Sequence, residues 1–77
     1  MNKERRNRLE EAMNKLDEVI AEIDDIHAEE EEAYDNMPES LRYSERGEQM
    51  SEYVSMLEEV GSSLEEAKDS IEEIVEG

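Results

Sequence analysis

The sequence lacks cysteine, tryptophan and phenylalanine, and it contains one histidine and one proline. Without cysteine, neither a disulfide nor a cysteine-ligated zinc ion can stabilise the fold. A single histidine excludes a histidine-rich metal site within one chain. No apolar run approaches the roughly 20 residues of a transmembrane helix, and none resembles a secretory signal. We therefore expect a cytoplasmic protein with no membrane contact.

The chain is also poor in apolar residues. Hydrophobic residues make up 35% of the 77 positions and charged residues 43%. Such a composition supports one small domain, residues 1–77, with a thin apolar seam. Domains below roughly 70–80 residues usually need cross-links, metal, oligomerisation or regular helix packing. Helix packing, with a second copy or another protein, is what remains for this chain.

Positive charge is scarce and unevenly placed. The formal charge is −17, yet residues 1–8 carry +3 and residues 9–77 carry −20. Repulsion of this size opposes direct binding to nucleic acid or anionic lipid through the body of the protein. It favours a protein partner with a basic groove, or it serves solubility alone.

Apolar residues recur at alternating steps of four and three in both halves of the chain, which is typical of helices that face a bundle core. We call these positions the seam; we predict that they pack the helices together and that all of them except Gly61, Lys68 and Val75 mediate self-association. In the first half they are Leu9, Met13, Leu16, Ile20, Ile23 and His27. In the second half they are Met50, Val54, Leu57, Gly61, Leu64, Lys68, Ile71 and Val75. Further apolar residues flank the seam at Ala12, Val19, Ile26, Ala33, Tyr53, Val60, Ala67 and Ile74.

This pattern predicts an all-α fold with helices at 3–34 and 45–75 and a structured linker at 35–44. Asn2 and Ser44 are suited to cap the two helices. Pro38 disfavours helix at the preceding residue, and residues 38–41 suit a single helical turn.

A linker of this length predicts an antiparallel, coiled-coil-like hairpin that forms a dimeric four-helix bundle. Residues whose numbers add to about 82 should then face each other. The basic first turn, with Lys3, Arg5, Arg6 and Arg8, should lie beside Asp69, Glu72, Glu73 and Glu76 and form ion pairs there.

Polar residues interrupt the seam at His27 and Lys68, and Gly61 leaves a gap. Asp24 lies three residues before His27, a spacing found twice in di-iron bundles but once here. Polar residues that set the register of the seam are the favoured interpretation, with a pH response at His27 as an alternative. Gly61 indicates local packing, a close partner or a slight bend.

The linker and the acidic residues before it are the candidate partner-binding region. The acidic run lacks the alternating acids and central glycine of a calcium loop, so a solvated helix end is the simpler interpretation. We predict no metal and no cofactor. The candidates are Glu29, Glu30, Glu31, Glu32, Tyr34, Asp35, Met37, Glu39, Leu41, Arg42, Tyr43 and Arg46.

Catalytic motifs are missing from the sequence. There is no cysteine nucleophile, no serine–histidine–acid arrangement tied to a pocket and no glycine-rich phosphate loop. Carboxylates are abundant, but a pair of helices offers no cavity to perturb their pKa. We therefore predict that the protein is not an enzyme.

Charge spacing connects the helices to a function. The 24 acids of residues 9–77, along a hairpin of roughly 46 Å, give about one per 1.9 Å, against about one per 1.7 Å of duplex DNA. The sequence thus supports two hypotheses. One is a nucleic-acid mimic that inhibits a nucleic-acid-binding or defence enzyme. The other is a dimerising structural hairpin or assembly factor whose charge serves solubility.

The stretch from Asp24 to Leu41, continued by Ser44 to Glu48, resembles a family of small acidic helical proteins of unknown function. These proteins occur in bacterial genomes and on phages or other mobile elements. The close resemblance covers about a third of the chain and extends to the rest only in type. It implies no catalytic residues. It does imply a phage-associated role, which includes inhibition of a host defence enzyme.

Overall fold

The computed structural model describes residues 1–77 and is all-helical. Helix α1 spans Lys3–Asp35, α2 spans Glu39–Arg42 and α3 spans Glu45–Glu76. The all-α prediction is confirmed. The long helices begin where the sequence predicted, and each extends one residue further. No helix has both the length and the apolar character required to cross a membrane.

Side-chain caps begin both long helices. The Asn2 side chain accepts a hydrogen bond from the Arg5 amide at 2.8 Å. The Ser44 hydroxyl accepts one from the Gly47 amide at 3.3 Å. Each cap satisfies one of the amides that a helix leaves unpaired in its first turn. Both predicted caps are therefore confirmed, while Pro38 is itself the N-terminal cap of α2.

Helices α1 and α3 lie side by side and run in opposite directions. Asp17 of α1 contacts Lys68 of α3, and Asp24 lies opposite Gly61. The numbers in both pairs add to 85, three more than the predicted register. The molecule measures 58 × 15 × 13 Å, and we refer to the packed pair of long helices as the rod.

This register makes one prediction wrong. The only ion pairs within 4.0 Å are Lys68–Asp17 and His27–Glu31. The basic residues at the start of α1 do not pair with the acids at the end of α3: in the observed register Lys3 and Arg5 lie beyond the last residue of α3, while Arg6 is half-buried with its Nε covered and unpaired.

The seam lies between α1 and α3, as a row of half-buried side chains. Every seam residue of both helices is half-buried, and the row extends to Arg6, Glu30 and Tyr34 on α1. No apolar residue is fully buried, and Gly47 is the one buried residue of the chain. Two helices alone therefore shield the seam from water only in part.

Candidate interaction surfaces

Acidic pairs follow the seam at intervals of seven residues. They are Glu10–Glu11, Asp17–Glu18, Asp24–Asp25 and Glu31–Glu32 on α1, and Glu58–Glu59, Glu65–Glu66 and Glu72–Glu73 on α3. All of these residues are exposed. Seven residues of helix rise about 10.5 Å, so each helix carries an acidic pair at that interval. We call this surface the acidic face.

The acidic pairs of the two helices share one side of the rod. Helices α1 and α3 are antiparallel and pack through the same seam positions. An approximate two-fold axis, normal to the plane that contains both helices, therefore relates them. This axis keeps residues at corresponding positions of the two helices on the same side of the rod. Contacts on this side support the argument. Asp17 and Asp24, the first members of their pairs, reach towards Lys68 and Gly61 of α3.

One cation lies under the acidic face. Lys68 Nζ lies 2.5 Å from Asp17 Oδ1. The hydrogen bond to Asp17, together with the charge of that carboxylate, raises the pKa of Lys68 above its ordinary value of 10.5. Lys68 therefore stays charged near neutral pH and offsets one acid at the centre of this face.

The charge of the rod is less dense than the sequence predicted. Spread over 58 Å, the 25 acidic residues give about one acid per 2.3 Å. Duplex DNA carries about one charge per 1.7 Å. The difference arises because the rod is longer than the expected hairpin. The charge is nevertheless concentrated, since most of the acids belong to the acidic face.

The opposite side of the rod is apolar. Seven of the eight apolar residues that flank the seam directly precede a seam position, and Ala33 precedes Tyr34 of the same half-buried row, so all eight share the side away from the acidic pairs. Among them Val19, Val60 and Ile74 are 44%, 43% and 48% exposed. We call these eight residues the apolar face. Tyr53 and Val60 of this face also line, with Glu30, an open depression of about 340 Å³.

Arg42 holds the segment between α1 and α3, residues 36–44, which we call the connection, against the end of α1. Its Nε donates a hydrogen bond to the Met37 carbonyl at 3.2 Å, and Nη2 donates to the Asp35 carbonyl. Its guanidinium also lies 5.9 Å from the centre of the Tyr34 ring. A cation at a helix C-terminus is favoured because the carbonyls there are unpaired. Arg42 thus has a structural role within the connection.

Gly47 is where the connection meets α3. A methyl group at this position would lie 2.3 Å from the carbonyl oxygen of Arg42 and 2.4 Å from that of Leu41. Only a residue without a side chain fits so close to the backbone of α2. The sequence offered one signal for this, a glycine in the first turn of a helix, where a better helix former is usual.

The predicted partner-binding residues divide into two groups. Tyr34, Met37, Arg42 and Glu30 are half-buried and hold the end of the rod together. The exposed group contains Glu29, Glu31, Glu32, Asp35, Glu39, Leu41, Tyr43 and Arg46. Tyr43 is 79% exposed, the largest value among the large hydrophobic side chains.

His27 occupies the seam. Its Nδ1 lies 3.9 Å from Glu31, and its Nε2 is buried without a hydrogen-bond partner. No group of three or more histidine and carboxylate side chains is arranged to hold a metal ion. Asp24, which the spacing placed near His27, faces Gly61 instead.

Comparison with protein-family models, curated proteins and solved structures found no match. The two faces of the rod and the connection are therefore the features from which a function is inferred.

Proposed function

We propose that this protein is a non-enzymatic binding protein whose acidic face occupies a basic groove on a protein partner. The binding unit is the antiparallel, coiled-coil-like hairpin formed by α1 and α3. The observation that carries the proposal is the segregation of charge. Acidic pairs repeat along one side of the rod, while the other side is apolar.

The target class follows from the shape and sign of this surface. The acidic pairs run from Glu10 to Glu32 on α1, about 33 Å of helix, along a narrow rod. Such an acidic ridge matches a groove built to hold a nucleic acid, because such grooves are long, open and lined with lysine and arginine. We propose a nucleic-acid-binding enzyme as the target, with a host defence enzyme as the favoured case for a phage or mobile-element protein. The acidic face then excludes the nucleic acid by occupying its site.

The experiment uses the protein as bait in an extract of its natural host. Bound proteins are released with excess duplex DNA or RNA in one sample and with rising salt in another. We expect nucleic acid to release the specific partner, and binding to weaken steeply between about 0.05 and 0.5 M salt, because screening shortens the reach of exposed charges.

A matched pair of variants makes the test specific. Glu58, Glu59 and Glu65, all on the acidic face, are changed to glutamine in the test variant. Glu48, Asp69 and Glu76, exposed and outside the acidic face, become the matching amides in the control. Both variants lose three charges. The proposal requires loss of binding in the first and retention in the second; equal binding by both would contradict it.

A second candidate function is a structural dimerising hairpin or assembly factor. It is favoured by the absence of any fully buried apolar residue, which indicates that the rod is completed by another surface. In that case the seam, the apolar face and the connection carry the interaction, and the acidic-face variant binds as well as the wild type.

A further inference from the structure

The apolar face is unpartnered in the isolated rod. It runs along both long helices, with the half-buried Glu30 beside Tyr53 and Val60. On α3 the neighbouring surface positions are also uncharged, namely Gln49, Met56, Ser63 and Ser70. Met56 is 50% exposed, beside Tyr53 at 48%. A chain with no buried apolar residue thus leaves its most apolar surface in water.

We propose that the apolar face receives the same face of a second copy, with the two connections at opposite ends of the dimer. In this arrangement α1 lies across α1 of the partner, and α3 across α3 of the partner, each pair antiparallel. The two-fold axis passes at the level of Val19 and Ala67. These residues lie at nearly the same height, because Asp17 is paired with Lys68.

Charge complementarity selects this orientation. The margin of the apolar face on α1 carries Arg8 and Lys15 near its start and Glu22 and Glu29 near its end. When α1 lies antiparallel across α1 of the partner, with Val19 at the two-fold axis, Arg8 lies beside the partner's Glu29. In the same register Lys15 meets the partner's Glu22. Connections at the same end would instead lay α1 across the partner's α3, where the margin positions Gln49, Met56, Ser63 and Ser70 are uncharged, so these four charges would have no charged partner.

In this dimer the basic residues at the start of α1 lie close to acids of the partner. The first of them, Lys3 and Arg5, extend beyond the end of α3, and none of these cations forms an ion pair within its own chain. In the proposed register Lys3 reaches the partner's Asp35, at the acidic end of α1. That end also presents the negative pole of the helix dipole, which favours cations. The apolar contact drives association, and the charges set its direction.

Side-chain sizes agree with the same register. Val19 meets the partner's Val19 at the axis, and Ala12 meets the partner's Ile26. On α3, Ala67 meets the partner's Ala67, and Val60 meets the partner's Ile74. A small residue opposite a large one allows helices to interdigitate. The assembled dimer turns its two acidic faces outward in opposite directions, so it presents two equivalent binding surfaces.

Cysteine cross-linking tests the interface, because the chain has no native cysteine. Val19→Cys places two thiols at the two-fold axis. Ala21→Cys, exposed on another side of the same helix, is the control. Under mild oxidation we expect Val19→Cys to form a covalent dimer far faster than Ala21→Cys. Equal rates, or no dimer from either, would overturn the proposal.

A double variant tests the orientation. If the connections lie at the same end, Val19 faces the partner's Ala67. The chain with both Val19→Cys and Ala67→Cys would then cross-link between copies, while each single variant would not. That result would contradict the proposed arrangement. Rapid cross-linking of Val19→Cys alone supports it.

Sedimentation equilibrium supplies the affinity. Val19→Glu brings two carboxylates together at an apolar axis, and we expect it to raise the dimer dissociation constant at least about tenfold. Ala21→Glu adds the same charge away from the interface and should leave the constant unchanged. A wild-type protein that stays monomeric at about 100 μM would refute the proposal. Circular dichroism verifies that both variants remain helical.

Discussion

Replacement of Gly47 by alanine is expected to loosen the connection from α3. The added methyl group would lie 2.3 Å from one backbone carbonyl oxygen of α2 and 2.4 Å from another. Because both atoms belong to the backbone, α2 must move by about 1 Å to restore contact distance. Overpacking of this kind destabilises by about 1–3 kcal/mol. Alanine recovers up to about 1 kcal/mol through its higher helix propensity.

We therefore expect a net destabilisation of about 1–2 kcal/mol for Gly47→Ala. For a domain of this size, that lowers the melting temperature by about 5–15 °C. Urea and thermal unfolding followed by circular dichroism give the value. Protein concentration is held constant, because association would add to the apparent stability.

Gly61→Ala is the matched control within the same helix. A methyl group at Gly61 would meet only Asp24 Oδ1, at 3.7 Å, which is ordinary contact. Alanine should therefore stabilise α3 by about 1 kcal/mol. The two substitutions share a chemistry and are expected to act in opposite directions. A Gly47→Ala protein at least as stable as the wild type would refute the close approach of α2 to α3.

Three further predictions concern single side chains. His27→Leu should stabilise the protein by about 1 kcal/mol in urea unfolding, because it removes a buried nitrogen without a partner; a loss of stability would contradict this. Arg42→Met keeps the aliphatic stem but removes the hydrogen bonds to the carbonyls of Asp35 and Met37. It should therefore lower the free energy of unfolding by about 1–2 kcal/mol and speed amide hydrogen exchange in the connection; unchanged exchange would argue against this role. Asp17 raises the pKa of Lys68 in the folded state. The free energy of unfolding that this pair contributes is therefore fully present below about pH 10.5, and it is lost as the pH rises through the raised pKa of folded Lys68. The difference in urea midpoint between the wild type and Lys68→Met should therefore be constant from about pH 6 to 9 and shrink above about pH 10.5; a change within the neutral range would contradict the assignment.

The helices were predictable because the seam and the caps are local signals. The alternation of apolar residues locates α1 and α3, and Asn2 and Ser44 mark where each begins. The register was predicted three residues away from the observed value. It depends on the path of the connection, which Arg42 and Gly47 set through contacts with backbone carbonyls. No periodic pattern encodes such contacts.

The two faces of the rod were present in the sequence as repeats of seven residues. Acidic pairs follow one kind of seam position, and the flanking apolar residues precede the other. Counting charge along the whole chain hid this segregation. The contacts of Asp17 with Lys68 and of Asp24 with Gly61 show that the acidic pairs of the two helices lie on the same side of the rod.

The regular spacing of the acidic pairs has a consequence for how a partner would align. A basic surface displaced by about 10.5 Å along the rod meets an almost identical set of charges, so the acidic face alone leaves the partner free to slide. Only the ends of the rod break this translational symmetry. Tyr43 and Leu41 project from one end, and a contact there would stop the sliding at a single position. Affinity and alignment would then be encoded by different parts of the same molecule.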